Sequence, residues 1–444
     1  MRRLTPQKLL NYCLIMVFLC LVLPLYAVKG ITDSMDHAQG TGTVGGIDFK
    51  AYYIAADMLR QGKDFYDVEQ QSREVLARGL PLNESFYIYP PLLAILFVPL
   101  TILPMNTAAQ VWFFLNVTLY GASLLVLCKA VDLGRRSRNL PLLWTLAFLF
   151  PPALYTIYKG QVNILLLLLL ALTCWLYTKG SQRLAGAALG VAIMVKIVPI
   201  LLLPYFAWRR QYTLCLATVV TISLIGVLGL MVVGIDPHLT YISSVLPSLA
   251  QPRPNPSNQS LGGFFSLLFI ENAYTDNLVS NLALWKTLTA SFTVGAILGV
   301  VMLCSRQQVR PQREKLELGL LITTMPLVAN IAWVDMLVIL VLPYAILFAH
   351  ISERRSDSAQ LLDRVGINLA PRWKKAVLAS TVASAVLVSS PRFLDTITGL
   401  GGLQSTFLRN PLLISLPFYG LLILWLTYAL IMIREGASNE ANHA

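Results

Sequence analysis

One carboxylate stands out by its surroundings. Asp48 follows Gly45-Gly46-Ile47 and precedes Phe49-Lys50-Ala51-Tyr52-Tyr53-Ile54-Ala55-Ala56, a stretch that reads as a short amphipathic helix ending at Gly62. An aspartate after glycines commonly caps a helix by accepting a backbone N–H. At a bilayer edge the same carboxylate can take a proton from a nucleophilic hydroxyl, if it is ionised and within hydrogen-bond reach. The two jobs can coexist. Asp57, Asp64 and Asp67 read instead as a solvated helix face and a turn.

Lys196 interrupts an apolar run. A charge there is costly and by default a functional candidate, here for an anionic phosphate; a structural ion pair or a side chain reaching the interface is the plainer reading. Gln161 and Asn163 open another apolar run and could hydrogen-bond a sugar, or simply begin a helix. The loop 247–263 offers Arg253 as a second phosphate contact, with Asn258, Gln259 and Ser260 behind it. Asn258-Gln259-Ser260 fits the N-x-S sequon, a pattern common by chance. Tyr87 and Tyr89 before Pro90-Pro91 could stack on a sugar or lipid, or anchor the interface as aromatics do. The four histidines form no metal-ligand spacing, and there is no Walker loop, GxGxxG or G-x-S-x-G, so soluble-nucleotide and serine-hydrolase chemistry lack support.

The elements that must position these groups are membrane helices. Of 444 residues 56% are hydrophobic and 13% charged, with mean hydropathy +0.65, more apolar surface than a water-soluble fold can hide. Spans are expected at 10–28, 107–128, 140–157, 161–178, 211–233, 282–304, 316–332, 334–350, 373–390 and 411–433. Residues 10–28 are too long for a signal-peptide core and lack a small-residue cleavage site, so they read as a retained first helix. Cys13, Cys20, Cys128, Cys174, Cys215 and Cys304 lie in or beside apolar runs, without paired spacing, and read as packing residues. The net charge of +12 falls in short loops, which fits topology better than a nucleic-acid partner.

Two segments do not fit a simple crossing. The stretch 90–104 is short and contains four prolines, and 184–208 carries Lys196 near its middle with prolines at 199 and 204. Basic loops belong on the cytoplasmic side: the N-terminus (Arg2, Arg3, Lys8), 129–139, Arg209 with Arg210, 306–315 and 354–375. Single crossings throughout would force 129–139 outside. The conflict disappears if 90–104 dips in and returns, and if 184–208 is a hairpin of two half-helices turning at Lys196-Ile197-Val198-Pro199. Broken helices are tolerated only where protein or a water-filled cavity satisfies the freed backbone. Asp48, Gln161, Lys196, the 234–281 loop and Trp333-Val334-Asp335 then share the outer face, the termini are cytoplasmic, and 434–444 is a tail. The whole chain, 1–444, reads as one membrane domain.

In order along the chain, Asp48-Phe49 with Tyr52 and Ala55-Ala56, Gly62, Phe65-Tyr66-Asp67, Tyr89-Pro90-Pro91, Pro99 and Pro104, Gly160-Gln161-Val162-Asn163, Gly186, Gly190, Lys196, Pro199 and Asn258-Gln259-Ser260 resemble glycosyltransferase family 87. The resemblance covers roughly residues 45–345. It implies an all-α polytopic membrane protein of the GT-C type, with about 10–12 transmembrane helices, re-entrant or broken segments and a large first outer loop over 29–106. It implies a multi-pass enzyme of the cell membrane that moves a hexose, mannose foremost, from a polyprenyl-phosphate-linked donor to a glycolipid or glycan acceptor on the outer side, in one inverting step. Asp48 would be the catalytic base, and Lys196 with Arg253 would bind the donor phosphate. Tyr52, Tyr89, Gln161, Asn163, Asn258, Gln259 and Asp335 would line the substrate. No cofactor is implied, a divalent metal stays open, and the partners are the lipid donor, the acceptor and membrane lipids rather than nucleic acid. One departure matters: family members often carry histidine soon after the tryptophan, where this chain has Asp335, in a stretch that could equally be a tight outer turn. The rival classes are a transporter or lipid flippase, which should show paired broken helices in matching halves, and a catalytically inactive scaffold.

Overall fold

A computed structural model describes residues 47–80, 82, 86–132, 140–304, 311–362, 372–390 and 409–441. The expected first span, 10–28, and parts of the basic loops lie outside them. The described residues are helical, joined by turns, and their β pairing is the isolated bridge between Asn258 and Trp333. In chain order the main helices are α1 (Ile47–Arg60), α2 (Val68–Ala77), α3 (Pro91–Phe97), α4 (Met105–Ala130), α5 (Leu140–Phe148), α6 (Pro151–Lys159), α7 (Asn163–Thr178), α8 (Gln182–Val195), α9 (Leu202–Trp208), α10 (Tyr212–Val233), α11 (Leu261–Phe269), α12 (Leu282–Leu303), α13 (Pro311–Val328), α14 (Val341–Leu362), α15 (Arg372–Val388) and α16 (Leu416–Ala441). Among the described residues, five stretches are long and apolar enough to cross a membrane: Met105–Ala130, Tyr212–Val233, Leu282–Leu303, Val334–Ile351 and Leu416–Glu435. The chain is an all-α membrane protein.

Several expected spans are interrupted, for local reasons. The 140–157 segment is two helices, because Phe150 takes an extended conformation before Pro151-Pro152. Proline disfavours helical backbone in the residue before it and is well placed to start the next helix. The stretch expected to begin a helix at 334 starts as a 3-10 turn, Val334–Leu340, before α14. The chain divides into two compact units, the first containing 1–126, 135–200 and 211–250, the second 127–134, 201–210 and 251–444.

In the first unit, α3 and the following 3-10 turn Val98–Ile102 pack along α1. Together they rise about 20 Å, short of the roughly 30 Å hydrocarbon core. Asp57, expected on a solvated face, is instead buried: its carboxylate accepts from Arg60 Nη2 and Gln61 Nε2, both at 2.8 Å, and from Arg78 Nη2 at 2.5 Å. It thereby clamps α1 to the end of α2. Asp67 caps α2 by accepting the amides of Glu69 and Gln70.

The helix over 184–208 does break at Lys196, which is extended (φ −153°, ψ 126°). Beyond it α8 and α10 show where the chain goes. Gly186 faces Leu214 and Thr218, while Gly190 faces Thr218 and Thr221, so the two helices run side by side in the same direction. Gln182 Nε2 donates to Gln211 Oε1 (2.6 Å), which ties the start of α8 to the start of α10. The break expected from the lysine and prolines is present.

In the second unit, Glu317 on α13 is buried between Arg209 and Arg313 (3.9 and 3.6 Å) and accepts from Tyr205 Oη at 2.9 Å. Arg209 also pairs with Glu314 at 2.7 Å. Arg209 and Arg313, read as loop charges, are therefore paired locally.

The α8–α10 contact depends on missing side chains. A Cβ on Gly186 would lie 2.3 Å from the Leu214 carbonyl oxygen, and Thr218 Oγ1 donates to the Gly186 carbonyl at 3.1 Å; small residues four apart let membrane helices approach this closely. Gly186→Ala should destabilise the protein by about 1–3 kcal/mol, read as a lower melting temperature in detergent. Gly226→Ala, on the same α10 but with open space around it, should not lower it.

Candidate active site

The first-unit candidates meet around one turn. Gly160 ends α6 in the left-handed conformation (φ 71°), which glycine adopts without penalty. A Cβ there would sit 2.7 Å from Phe49 Cβ, so the residue after Asp48 packs directly on the turn. Trp112 of α4 donates its indole N–H to the Gly160 carbonyl at 2.7 Å. Three separate elements thus fix the turn that presents Gln161.

Gln161 is 2% exposed. Its Oε1 accepts from Tyr52 Oη at 2.7 Å and Tyr89 Oη at 3.1 Å. The two phenol rings meet edge to face, with centroids 5.0 Å apart. Tyr89 is held in turn by Tyr66 Oη, which donates to its carbonyl at 2.6 Å. Two residues on, Asn163 is buried at the start of α7 and accepts from Lys196 Nζ at 2.9 Å. The ammonium also lies 5.9 Å from the centroid of the Tyr89 ring, within cation–π range. Tyr52, Tyr89, Gln161, Asn163 and Lys196, read separately from a stretch of 145 positions, therefore form one connected polar cluster.

Asp48 lies in the first turn of α1, one helical turn before Tyr52 on the same face. Its carboxylate is half-buried and interacts electrostatically with Lys50. Lys50, which spacing alone does not single out, is 5% exposed. Burial lowers its amine to about 8, against the opposing pull of the Asp48 charge. The geometry gives a carboxylate beside a buried amine, one helical turn from the tyrosine that joins α1 to the Gln161–Tyr89–Lys196 cluster. That inventory suits proton removal from a hydroxyl next to an anion-binding group.

The remaining candidates lie in the second unit. Gln259 N–H donates to the Ala332 carbonyl at 2.7 Å, and Val334 N–H to the Ser257 carbonyl at 3.0 Å, so the 257–259 segment pairs with 332–334. Asn258 Oδ1 accepts from Ala332 N–H at 2.9 Å and Ser260 Oγ at 3.0 Å. Asn258 and Gln259 are buried, and the Asn258 carboxamide organises the backbone around it, which leaves the sequon reading without an accessible amide. Asp335 is 0% exposed within the 3-10 turn, a correction to the tight outer turn. Arg253 is half-buried nearby in sequence, its carbonyl accepting from Asn255 N–H.

With this geometry in view, the comparison with known proteins is decisive for the family. The model of glycosyltransferase family 87 matches residues 87–330. The chain belongs to glycosyltransferase family 87. The matched region holds Tyr89, Gln161, Asn163, Lys196 and Asn258, whereas Asp48 and Tyr52 precede it and Asp335 follows it. A polyprenol-phosphate-mannose-dependent alpha-(1-2)-phosphatidylinositol pentamannoside mannosyltransferase of Mycobacterium tuberculosis is 28% identical over 48% of this chain and 52% of its own. An alpha-(1->3)-arabinofuranosyltransferase of Corynebacterium glutamicum is 27% identical over 54% and 56%. The chain thus matches about half the length of these curated relatives. Among solved structures, ArnT from Cupriavidus metallidurans bound to undecaprenyl phosphate aligns over 94% of this chain and 76% of its own, with 15% identity and a TM-score of 0.42.

The buried amine gives a pH signature. A lysine ordinarily releases its proton near 10.5, and Lys50 in the fold near 8. Between these values the unfolded chain holds a proton that the folded one lacks, so stability should rise with pH across that window. Lys50→Met should flatten this rise in melting temperature measured from pH 8 to 10.5.

Proposed function

We propose that this family 87 member is a membrane glycosyltransferase that moves a hexose, mannose foremost, from a polyprenyl-phosphate-linked donor to a lipid-linked or envelope glycan acceptor. The observation that carries the reading is the connected cluster Tyr52–Gln161–Tyr89–Lys196–Asn163, held against the helix that bears Asp48. Family membership makes glycosyl transfer the chemistry to fit to it. The named activity of the mycobacterial relative supports a polyprenol-phosphate-mannose donor. The arabinofuranosyltransferase name of another makes a pentose donor the comparison to run beside it.

In this mechanism the Asp48 carboxylate takes the proton of an acceptor hydroxyl as its oxygen attacks the anomeric carbon. The bond from that carbon to the lipid phosphate oxygen breaks, its electron pair leaves with the phosphate, and the configuration inverts. Lys196 stabilises the charge that grows on the phosphate, where a donor aimed at the leaving group acts on the transition state. Arg253 is the second cation proposed for the donor phosphate, and Asp335 with Asn258 and Gln259 are proposed on the substrate side of the second unit. The site opens on the outer face of the cell membrane, because that places the basic loops on the cytoplasmic side.

The test is transfer from a polyprenyl-phosphate-mannose donor by the purified protein, with a polyprenyl-phosphate-arabinofuranose donor in parallel. Asp48→Asn should lower kcat by about 100- to 10,000-fold, the usual contribution of a general base, with an unchanged melting temperature. Full activity in a folded Asp48→Asn protein would sink the mechanism. Lys196→Ala should raise the donor KM by roughly 10-fold or more, as loss of a charged hydrogen bond does; an unchanged KM would remove it from the phosphate site.

A further inference from the structure

We infer that Gln161 is a donor-only group that binds a phosphate oxygen of the lipid-linked substrate, and that Tyr52 and Tyr89 are positioning residues which fix its carboxamide for that task. The inference rests on the glycosyl-transfer reading above and deepens it. A carboxamide oxygen has two lone pairs, and those of Gln161 Oε1 are both taken, by Tyr52 Oη and Tyr89 Oη. What remains is the Nε2 amide, two N–H donors. Among the described residues it donates to none, so its two N–H groups are the capacity of this side chain that the phenols do not use.

The neighbouring chemistry selects the ligand atom. Lys196, whose ammonium lies over the Tyr89 ring, is also donor-only, since an ammonium has three N–H and no acceptor. Two donor-only groups that both contact one tyrosine match a group that only accepts. A phosphodiester has acceptor oxygens and a negative charge, whereas a sugar hydroxyl would suit a group that could also accept. Tyr89, read from sequence as a stacking surface for a sugar or lipid, directs its hydroxyl to Gln161 instead, as does Tyr52. Their role is to stop the carboxamide from rotating and presenting its oxygen to an anion. Gly160 anchors the backbone of the same residue, so both ends of Gln161 are fixed.

The decisive variant is Gln161→Glu. Glutamate keeps an oxygen for both phenols but exchanges the N–H donors for a carboxylate. The measurements are the KM for the sugar-linked donor, the inhibition constant of sugar-free polyprenyl phosphate, and the melting temperature. Both constants should rise together by at least about 10-fold, the scale of a hydrogen bond to a charged group, while the melting temperature holds. The double variant Tyr52→Phe/Tyr89→Phe keeps the ring face beneath Lys196 and removes only the hydroxyls. It should raise the same two constants several-fold with little change in kcat. Unchanged constants in folded Gln161→Glu protein would reduce Gln161 to a structural acceptor for the two phenols and overturn the inference. A rise in the donor KM without a rise in the polyprenyl phosphate inhibition constant would place the amide on the sugar and equally overturn it. Failure of the wild-type protein to use any polyprenyl-phosphate donor is a different result, and would count against the proposed function.

Discussion

The site depends on a glycine that lets a helix start almost touch a turn. At Gly160 the chain must take a positive φ and must also admit Phe49 at a separation that no Cβ allows. Those two demands have one residue as their solution. Because Phe49 follows Asp48, the close approach delivers the carboxylate-bearing turn of α1 to Gln161. Because Trp112 donates to the Gly160 carbonyl, α4 is registered against the same point. A bulkier residue at 160 would force Phe49, and with it the start of α1, away from this turn before any chemical group was changed.

A membrane setting explains why this is a network rather than a set of independent contacts. A polar side chain within an apolar bundle either finds a partner or imposes a large desolvation penalty. Lys196, Asn163, Gln161, Tyr89 and Tyr52 satisfy one another in sequence, and each link constrains the next. Such a chain gains geometric precision from burial, since every partner is also a restraint.

Much of the site was legible because polar residues in an apolar sequence are conspicuous. Lys196 and the prolines at 199 and 204 announced a broken helix, and the helix does break at Lys196. Gln161 and Asn163 were visible for the same reason. Local sequence could not reveal pairings set by distant segments. Asp57 looks like a solvated charge until Arg78, 21 positions away, closes over it. Asp335 looks like an exposed turn residue but is fully buried in the 3-10 turn that follows the pairing of 257–259 with 332–334. Both errors have one cause: a charge beside polar neighbours gives no sign of whether a remote segment will bury it. The split at Phe150 was readable from Pro151-Pro152, but hydropathy averaged over the segment concealed it.

Under the proposed mechanism, Lys50 shows how burial can serve a base that must stay ionised. A general base acts only as the carboxylate, and low-polarity surroundings favour the neutral acid. An ammonium nearby opposes that tendency, and Lys50 provides one on the same helix. The same burial that makes the interaction strong also lowers the amine to about 8, so the supporting charge begins to fade just above neutral pH. If Asp48 is the base, loss of the Lys50 proton weakens the support for its charged form. A carboxylate propped by a strongly hydrated surface lysine would keep that support to higher pH, but more weakly, because water screens exposed pairs. Burial therefore trades the pH range over which Lys50 acts for the strength with which it acts, and the buried setting suits a site closed off from water.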